Sequence, residues 1–283
     1  MNLFQALILG IAQGATEFLP VSSSGHLVLV PWLLGWNDPS NAWYLDAADG
    51  FQLVFDVVLH LGTACAILVY FWRDWLDLLQ AVLRAARDRS PACPKARLAL
   101  LIILGTIPAA LAGYFLDDIV EGAFSRPIAA AGFLLVTAVL LAASEWIGRR
   151  DRDLEHLTWL DALLIGIGQA LALFPGVSRS GTTIAAGLAR GIKRAPAARF
   201  SFLLATPIIL GAGGFKVLDL IQTGGMLSRV PVLVTGFVAA GIVGYLCIHW
   251  LLRYLQNRRL YPFAIYCACA GIVCATVALT GLR

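Results

Sequence analysis

The sequence predicts an all-α polytopic membrane protein: six transmembrane helices plus two re-entrant helix pairs, arranged as an inverted-topology repeat. Three observations predict it. The 283 residues are 59% hydrophobic and only 13% charged, with a mean hydropathy of +0.80, whereas a soluble domain carries about 25% charged residues. Apolar runs long enough to cross a hydrocarbon core of about 30 Å recur along the whole chain. Two of these runs are broken by a polar, Ser-rich stretch. Period-2 alternation of polar and apolar residues is absent, which excludes the barrel pattern. Backbone groups in lipid must then be satisfied within helices.

In chain order, the first apolar segment runs from Leu3 to Leu34 and breaks at Pro20-Val-Ser-Ser-Ser-Gly25. Full spans follow at about 51–72, 97–117 and 127–147. A second broken segment, Leu160 to Gly191, is interrupted by Pro175-Gly-Val-Ser-Arg-Ser-Gly181. Spans at about 199–218, 231–252 and 262–281 complete the chain. The piece after each break holds roughly 10–12 residues, about 15–18 Å of helix, too short to cross a bilayer. Each broken segment therefore reads as a re-entrant pair.

Loop charges set the sides. The loops 73–97 (Arg73, Arg84, Arg87, Arg89, Lys95, Arg97), 148–158 (Arg149, Arg150, Arg152), 190–199 (Arg190, Lys193, Arg194, Arg199) and 253–259 (Arg253, Arg258, Arg259) are basic and fall on the cytoplasmic side. The loops 37–50 (Asp38, Asp46, Asp49) and 117–126 (Asp117, Asp118, Glu121 and one Arg126) are acidic and fall outside. Alternation through the spans then closes consistently: the first pair enters from outside, the second from inside, and both termini lie outside. Trp32, Trp36, Trp43, Trp72 and Trp75 fit an interfacial aromatic belt.

A single membrane domain, 1–283, is expected, with repeat one at about 1–147 and repeat two at about 158–283. The repeat shows in the residues. At one constant offset Gly10-Ile-Ala-Gln13 matches Gly166-Ile-Gly-Gln169, Phe18 matches Phe174, Val21-Ser22 matches Val177-Ser178 and Ser24-Gly25 matches Ser180-Gly181. At another, Gly105 through Gly113-Tyr114 echoes Gly236 through Gly244-Tyr245. An odd number of spans per repeat inverts the topology, and such repeats place polar sites where broken helices meet. The small residues Gly236, Ala239, Ala240 and Gly244 suit helix packing within or between subunits, a homodimer included.

Other classes are set aside. A net charge of +4 does not point to nucleic acid. Cys65, Cys93, Cys247, Cys267, Cys269 and Cys274 contain no CxxC pair, and five lie in apolar runs, so they read as packing residues. Met-Asn-Leu-Phe-Gln carries no basic residue ahead of its apolar run, so no cleaved signal peptide is expected.

The breaks carry the chemistry. Ser and Gly are good N-cap residues, and a helix N-terminus presents unpaired N–H groups and partial positive charge. Two such N-termini meeting at the midplane make an anion site suited to phosphate. A guanidinium at membrane depth, Arg179, is expensive and usually functional. Flanked by Ser178, Ser180, Thr182 and Thr183, it suits bidentate phosphate binding; snorkelling to the interface is the bland alternative. Glu17 shares a helix face with Gln13. Beside a diphosphate it needs a bridging Mg²⁺ or Ca²⁺, or a role as base; direct pairing with Arg179 is the structural alternative. His26, just past Ser22, Ser23 and Ser24, suits acid, base or nucleophile chemistry, or simply a hydrogen-bonded core position. Asp56 and His60 share one face, either to orient a ligand or cation or to pack against another helix.

Gln13-Gly-Ala-Thr-Glu17-Phe-Leu-Pro-Val-Ser-Ser-Ser-Gly-His26 and Pro175-Gly-Val-Ser-Arg-Ser-Gly-Thr-Thr183 resemble the two signature motifs of the bacterial undecaprenyl-diphosphate phosphatases of the bacitracin-resistance type. The similarity extends through essentially the whole chain, including Phe55-Asp-Val-Val-Leu-His-Leu-Gly62 and Arg199-Phe-Ser-Phe-Leu. The family allows Glu or Gln at position 13, and often has Gln where this chain has His60, so His60 carries little weight. The resemblance implies an inner-membrane phosphatase that converts undecaprenyl diphosphate in the bilayer to undecaprenyl phosphate, recycling the carrier for cell-wall synthesis. It implies a divalent cation and a site open to the periplasm or outside. The family's functional residues fall on Glu17, Ser23, His26 and Arg179, supported by Gln13, Ser22, Ser178 and Thr183; Ser24, Ser180 and Thr182 complete the expected substrate-binding set, and Glu17 is the expected metal ligand. A lipid-phosphate transporter or flippase using the same midplane site is the competing expectation.

Overall fold

The computed structural model describes residues 1–41, 51–88, 93–116, 126–223 and 229–281, with side chains in the helix that ends at Thr223 described as far as Gly214. Eleven α-helices and one short 3₁₀ turn make up the described residues, and no strand occurs among them. In order these are α1 (Leu3–Phe18), α2 (Ser23–Leu33), α3 (Phe51–Tyr70), α4 (Trp72–Asp88), α5 (Pro94–Phe115), α6 (Pro127–Ile147), the 3₁₀ turn Leu154–His156, α7 (Trp159–Leu171), α8 (Arg179–Ala189), α9 (Arg194–Thr223), α10 (Val230–Asn257) and α11 (Tyr261–Thr280).

Six of them, α3, α5, α6, α9, α10 and α11, are long and apolar enough to cross a membrane. They match the six expected spans, although α9 starts a turn earlier than expected, at Arg194. The four remaining apolar pieces are shorter. Helices α1 and α2 hold 16 and 11 residues, α7 and α8 hold 13 and 11. At 1.5 Å per residue none exceeds about 24 Å. Within each pair the two helices pack on each other.

Lipid tails are as apolar as leucine, so close backbone approach rather than apolar burial holds membrane helices together. Small residues provide it here. A Cβ on Gly10 would lie 2.7 Å from the Gly236 carbonyl oxygen, and one on Gly14 2.6 Å from that of Ala240. A Cβ on Gly166 would lie 2.3 Å from the Gly105 carbonyl oxygen. Helix α1 thus lies against α10, and α7 against α5. Each contact joins a helix of one expected repeat to a helix of the other, through the glycines that echo one another in sequence. The stripe Gly236, Ala239, Ala240 and Gly244 is buried inside the chain against α1 and α3, so it is spent within the subunit.

The stretch 73–97, expected as a basic loop, is mostly the helix α4. Its apolar residues recur every three or four positions: Leu78 and Ala81 are buried, while Leu76, Leu79 and Leu83 are exposed. Lys95 pairs with Asp77 on this helix at 2.7 Å. The other basic loops are stitched by ion pairs. Glu145, at the end of α6, accepts Arg194 Nε and Nη2 at 2.7 and 2.6 Å and the Leu260 backbone N–H at 2.8 Å, with Arg150 at 3.2 Å. Asp161 caps the start of α7 through Thr158 and accepts Arg152 and Arg190 at 2.7 and 2.6 Å. Of the residues expected outside, Asp38 sits in a turn after α2 and accepts the Ser40 N–H at 2.9 Å. Asp46, Asp49, Asp117, Asp118 and Glu121 lie outside the described residues, as do Trp43 and Arg89. All six cysteines are free; Cys267 and Cys274 are buried, while Cys65, Cys93 and Cys269 are exposed.

Candidate active site

Both breaks begin helices by the same device. Ser22 is the N-cap of α2, and its Oγ accepts the Gly25 N–H at 3.2 Å. Ser178 is the N-cap of α8, and its Oγ accepts the Gly181 N–H at 3.0 Å. Each cap hydroxyl also meets that of the serine two residues on: Ser22 with Ser24 at 3.3 Å, Ser178 with Ser180 at 3.2 Å. Freed backbone groups need such partners, because an unsatisfied one in lipid costs several kcal/mol.

The second break is pinned from α6. Thr137 Oγ1 donates to the Gly176 carbonyl at 2.9 Å and accepts the Ser178 N–H at 3.0 Å. Gly176 has φ +102°, and a Cβ there would lie 2.2 Å from the Ala130 carbonyl oxygen, so only glycine fits. The breaks also touch each other. Ser180 Oγ donates to the Leu19 carbonyl at 3.1 Å, and a Cβ on Gly25 would meet Gly176 Cα at 3.0 Å. The N-termini of α2 and α8 therefore lie side by side, with buried dipoles that both favour an anion.

A charged pair bridges them. Glu17, in the last turn of α1, is buried, and its Oε1 accepts Arg179 Nη2 at 2.8 Å. Its Oε2 accepts the Ser23 hydroxyl at 2.5 Å and Gln13 Nε2 at 3.0 Å. The direct Glu17–Arg179 pair and the anchoring of Gln13 by Glu17 thus coexist at one carboxylate, which has about four lone-pair sites. Arg179 turns toward Glu17, with 14% of its side chain exposed. Two polar atoms here are buried with no protein partner: Arg179 Nη1 and Gln13 Oε1. Groups of this kind are costly unless a ligand or water meets them.

The other expected residues are placed as follows. Thr182 Oγ1 donates to the Ser178 and Arg179 carbonyls at 2.9 and 3.1 Å, and Thr183 Oγ1 meets Ser201 Oγ at 2.6 Å and the Arg179 carbonyl at 2.7 Å. Both thus brace the first turn of α8. His26 has both ring nitrogens engaged: Nδ1 with the Ser22 carbonyl and Nε2 with the Tyr266 hydroxyl, each at 2.7 Å. The rings stack at 5.7 Å. Tyr266, on α11, carries no signal of its own in the sequence; only its contact with His26 marks it. His60, given little weight from sequence, stands at the site: Nε2 is 3.8 Å from Glu17 Oε2 and Nδ1 is 2.8 Å from the Asp56 carbonyl. The signal that could have found it is the Asp56–His60 spacing on one face of α3.

Fold and site together define a polytopic helical membrane protein with a buried, anion-adapted polar centre built around a carboxylate–guanidinium pair. The chain belongs to the family described as "Bacitracin resistance protein BacA", whose model matches residues 6–273. It is 44% identical over 283 residues to an undecaprenyl-diphosphatase of Pelobacter propionicus, covering 100% of this chain and 99% of that protein. It is 43% identical over 297 residues to one of Mycobacterium avium, covering 96% and 95%. It is 42% identical over 281 residues to one of Thermomicrobium roseum, covering 96% and 97%.

Proposed function

We propose that this chain is an integral membrane phosphatase that hydrolyses undecaprenyl diphosphate to undecaprenyl phosphate and inorganic phosphate. The observation that carries the reading is the meeting of two capped helix N-termini over the Glu17–Arg179 pair, with Arg179 Nη1 left unpartnered. The prenyl tail stays in lipid beside the bundle while the diphosphate enters between α2 and α8. Arg179 and the positive N-terminal end of α8 hold the terminal phosphate and stabilise the charge that develops on it. Ser22 and Ser24 set the start of α2 and Ser178 and Ser180 that of α8, while Thr182 and Thr183 brace the first turn of α8.

The hydrogen bond from the Ser23 hydroxyl to the Glu17 carboxylate, which gives that hydroxyl a base, favours Ser23 over His26 as the group nearest phosphorus. Glu17 Oε2 takes the Ser23 proton as Oγ attacks; undecaprenyl phosphate leaves, and water then releases phosphate from Ser23. His26, held by Ser22 and Tyr266, supports the turn and the leaving side.

A divalent cation, Mg²⁺ or Ca²⁺, fits this set. Glu17, Ser23 and the unpartnered Gln13 Oε1 are hard oxygen donors, and such cations take one or two carboxylates plus phosphate oxygens. Among the described residues no group of three or more His, Cys, Asp or Glu forms a complete cage, consistent with substrate oxygens completing the shell. When bound, the cation offsets repulsion between Glu17 and the diphosphate.

The re-entrant reading of both helix pairs, with the site open to the periplasm or outside, supports carrier recycling at the outer face of the inner membrane. Phosphate release from undecaprenyl diphosphate by purified protein, with and without EDTA and with Glu17→Ala and Arg179→Ala, tests the proposal. Cation-dependent release lost in both variants is expected. A well-folded wild type that releases none overturns it and leaves lipid-phosphate transport.

A further inference from the structure

We propose that His60 is a second protein ligand of the cation, so that this chain's site takes a first-row transition dication through nitrogen as well as oxygen. The inference rests on the cation site described above, and it concerns the metal rather than the reaction. The Asp56 carbonyl can only accept, so His60 Nδ1 carries the ring proton across their 2.8 Å contact. That leaves Nε2 as the ring atom open to coordination, and it faces Glu17 Oε2 at 3.8 Å. A cation between them meets both donors after a small closure: Zn–N and Zn–O bonds of about 2.0–2.2 Å at a tetrahedral angle put neighbouring donors about 3.3–3.6 Å apart, a few tenths of an ångström inside this separation.

The contrast with His26 sharpens the assignment. Its Nε2 is met by the Tyr266 hydroxyl at 2.7 Å, so its lone pair is already satisfied. A metal-ligating histidine usually gives its other N–H to a carboxylate or backbone carbonyl, which fixes tautomer and ring orientation. The Asp56 carbonyl does that for His60. A third donor comes from an independent observation. Gln13 Oε1 is buried without a partner, on a side chain whose amide nitrogen already holds Glu17 Oε2. An imidazole nitrogen suits iron or zinc better than magnesium or calcium, and the carboxylate and amide oxygens also suit manganese, which serves as the paramagnetic probe of the mixed shell. The diphosphate supplies the remaining ligands.

The test uses Mn²⁺ on the purified full chain without a polyhistidine tag and without substrate. Electron spin-echo modulation spectroscopy should show a coupled ¹⁴N nucleus on the bound manganese. Growth on ¹⁵N-histidine should shift those frequencies in the wild type with no mutation at all. His60→Gln should abolish the coupling and weaken manganese binding by at least about tenfold, while His26→Gln should keep the coupling. Manganese that binds without nitrogen coupling, coupling that survives His60→Gln, or no manganese binding overturns the proposal. Because no substrate is present, coupling seen in a protein that releases no phosphate would uphold the metal site and sink the phosphatase reading alone.

Discussion

At the scale of single residues, the site rests on one carboxylate. Glu17 binds Arg179, Ser23 and Gln13 at once, so removing it releases three side chains as well as a charge. Arg179→Ala should lower kcat/KM for undecaprenyl diphosphate by about 10³-fold or more, the usual cost of losing an arginine that stabilises phosphoryl transfer. Arg179→Lys should recover little of it, because an ammonium cannot hold Glu17 and a phosphate with two arms. Steady-state kinetics in detergent micelles decides both. Thr137 makes a prediction of a different kind. Its hydroxyl serves the backbone of the second break, and Thr137→Val leaves the Gly176 carbonyl and the Ser178 N–H without their buried partner. Stability should fall by about 1–3 kcal/mol, read as a lower thermal midpoint. Glu17, Ser23, His26 and Arg179 were legible in sequence because polar groups inside apolar runs are expensive and hence conspicuous. Thr137, Tyr266 and Ser201 were not, because hydroxyls in a span are common and only their partners distinguish them. His60 was visible as a type but not as a neighbour, since its partner Glu17 lies on another helix.

At the scale of helices, glycine carries the design. Gly10 and Gly166 let α1 and α7 touch the backbones of α10 and α5, and Gly132, on α6, meets nothing within 4 Å. Gly10→Ala and Gly166→Ala should each cost about 1–3 kcal/mol by forcing helices apart. Gly132→Ala should be neutral or stabilising by up to about 1 kcal/mol through helix propensity. Thermal unfolding of the three variants side by side tests this, and equal effects at all three positions would refute the packing account. Spans were legible from run length alone. The helix α4 was missed because its charges dominate the composition while its apolar residues sit only at every third or fourth position. Its neighbours explain the spacing: Leu78 and Ala81 turn inward, Trp75 packs half-buried against the core, and Leu76, Leu79, Val82 and Leu83 remain exposed.

For the whole molecule, basic clusters and acidic loops should mark opposite sides of the membrane. With the native cysteines replaced, Ser40→Cys should react with a membrane-impermeant maleimide in intact cells, and Glu155→Cys only after permeabilisation. The reverse pattern would place the site's opening on the cytoplasmic face. The arginines and lysines used to assign sides are also structural: Glu145 and Asp161 gather Arg150, Arg194, Arg152 and Arg190 and tie together loops far apart in the chain. The sequence by itself determined the class of fold, the number of spans and the two polar breaks, because each is a local matter of apolar length, charge and helix-capping chemistry. Tertiary structure alone decided that the breaks abut through Gly25 and Gly176 and that Glu17 reaches Arg179 and His60. It also decided that the Gly236–Gly244 stripe packs inside the chain. These are contacts between distant segments, and which polar group meets which is set by how closely backbones approach, a quantity that no local pattern encodes.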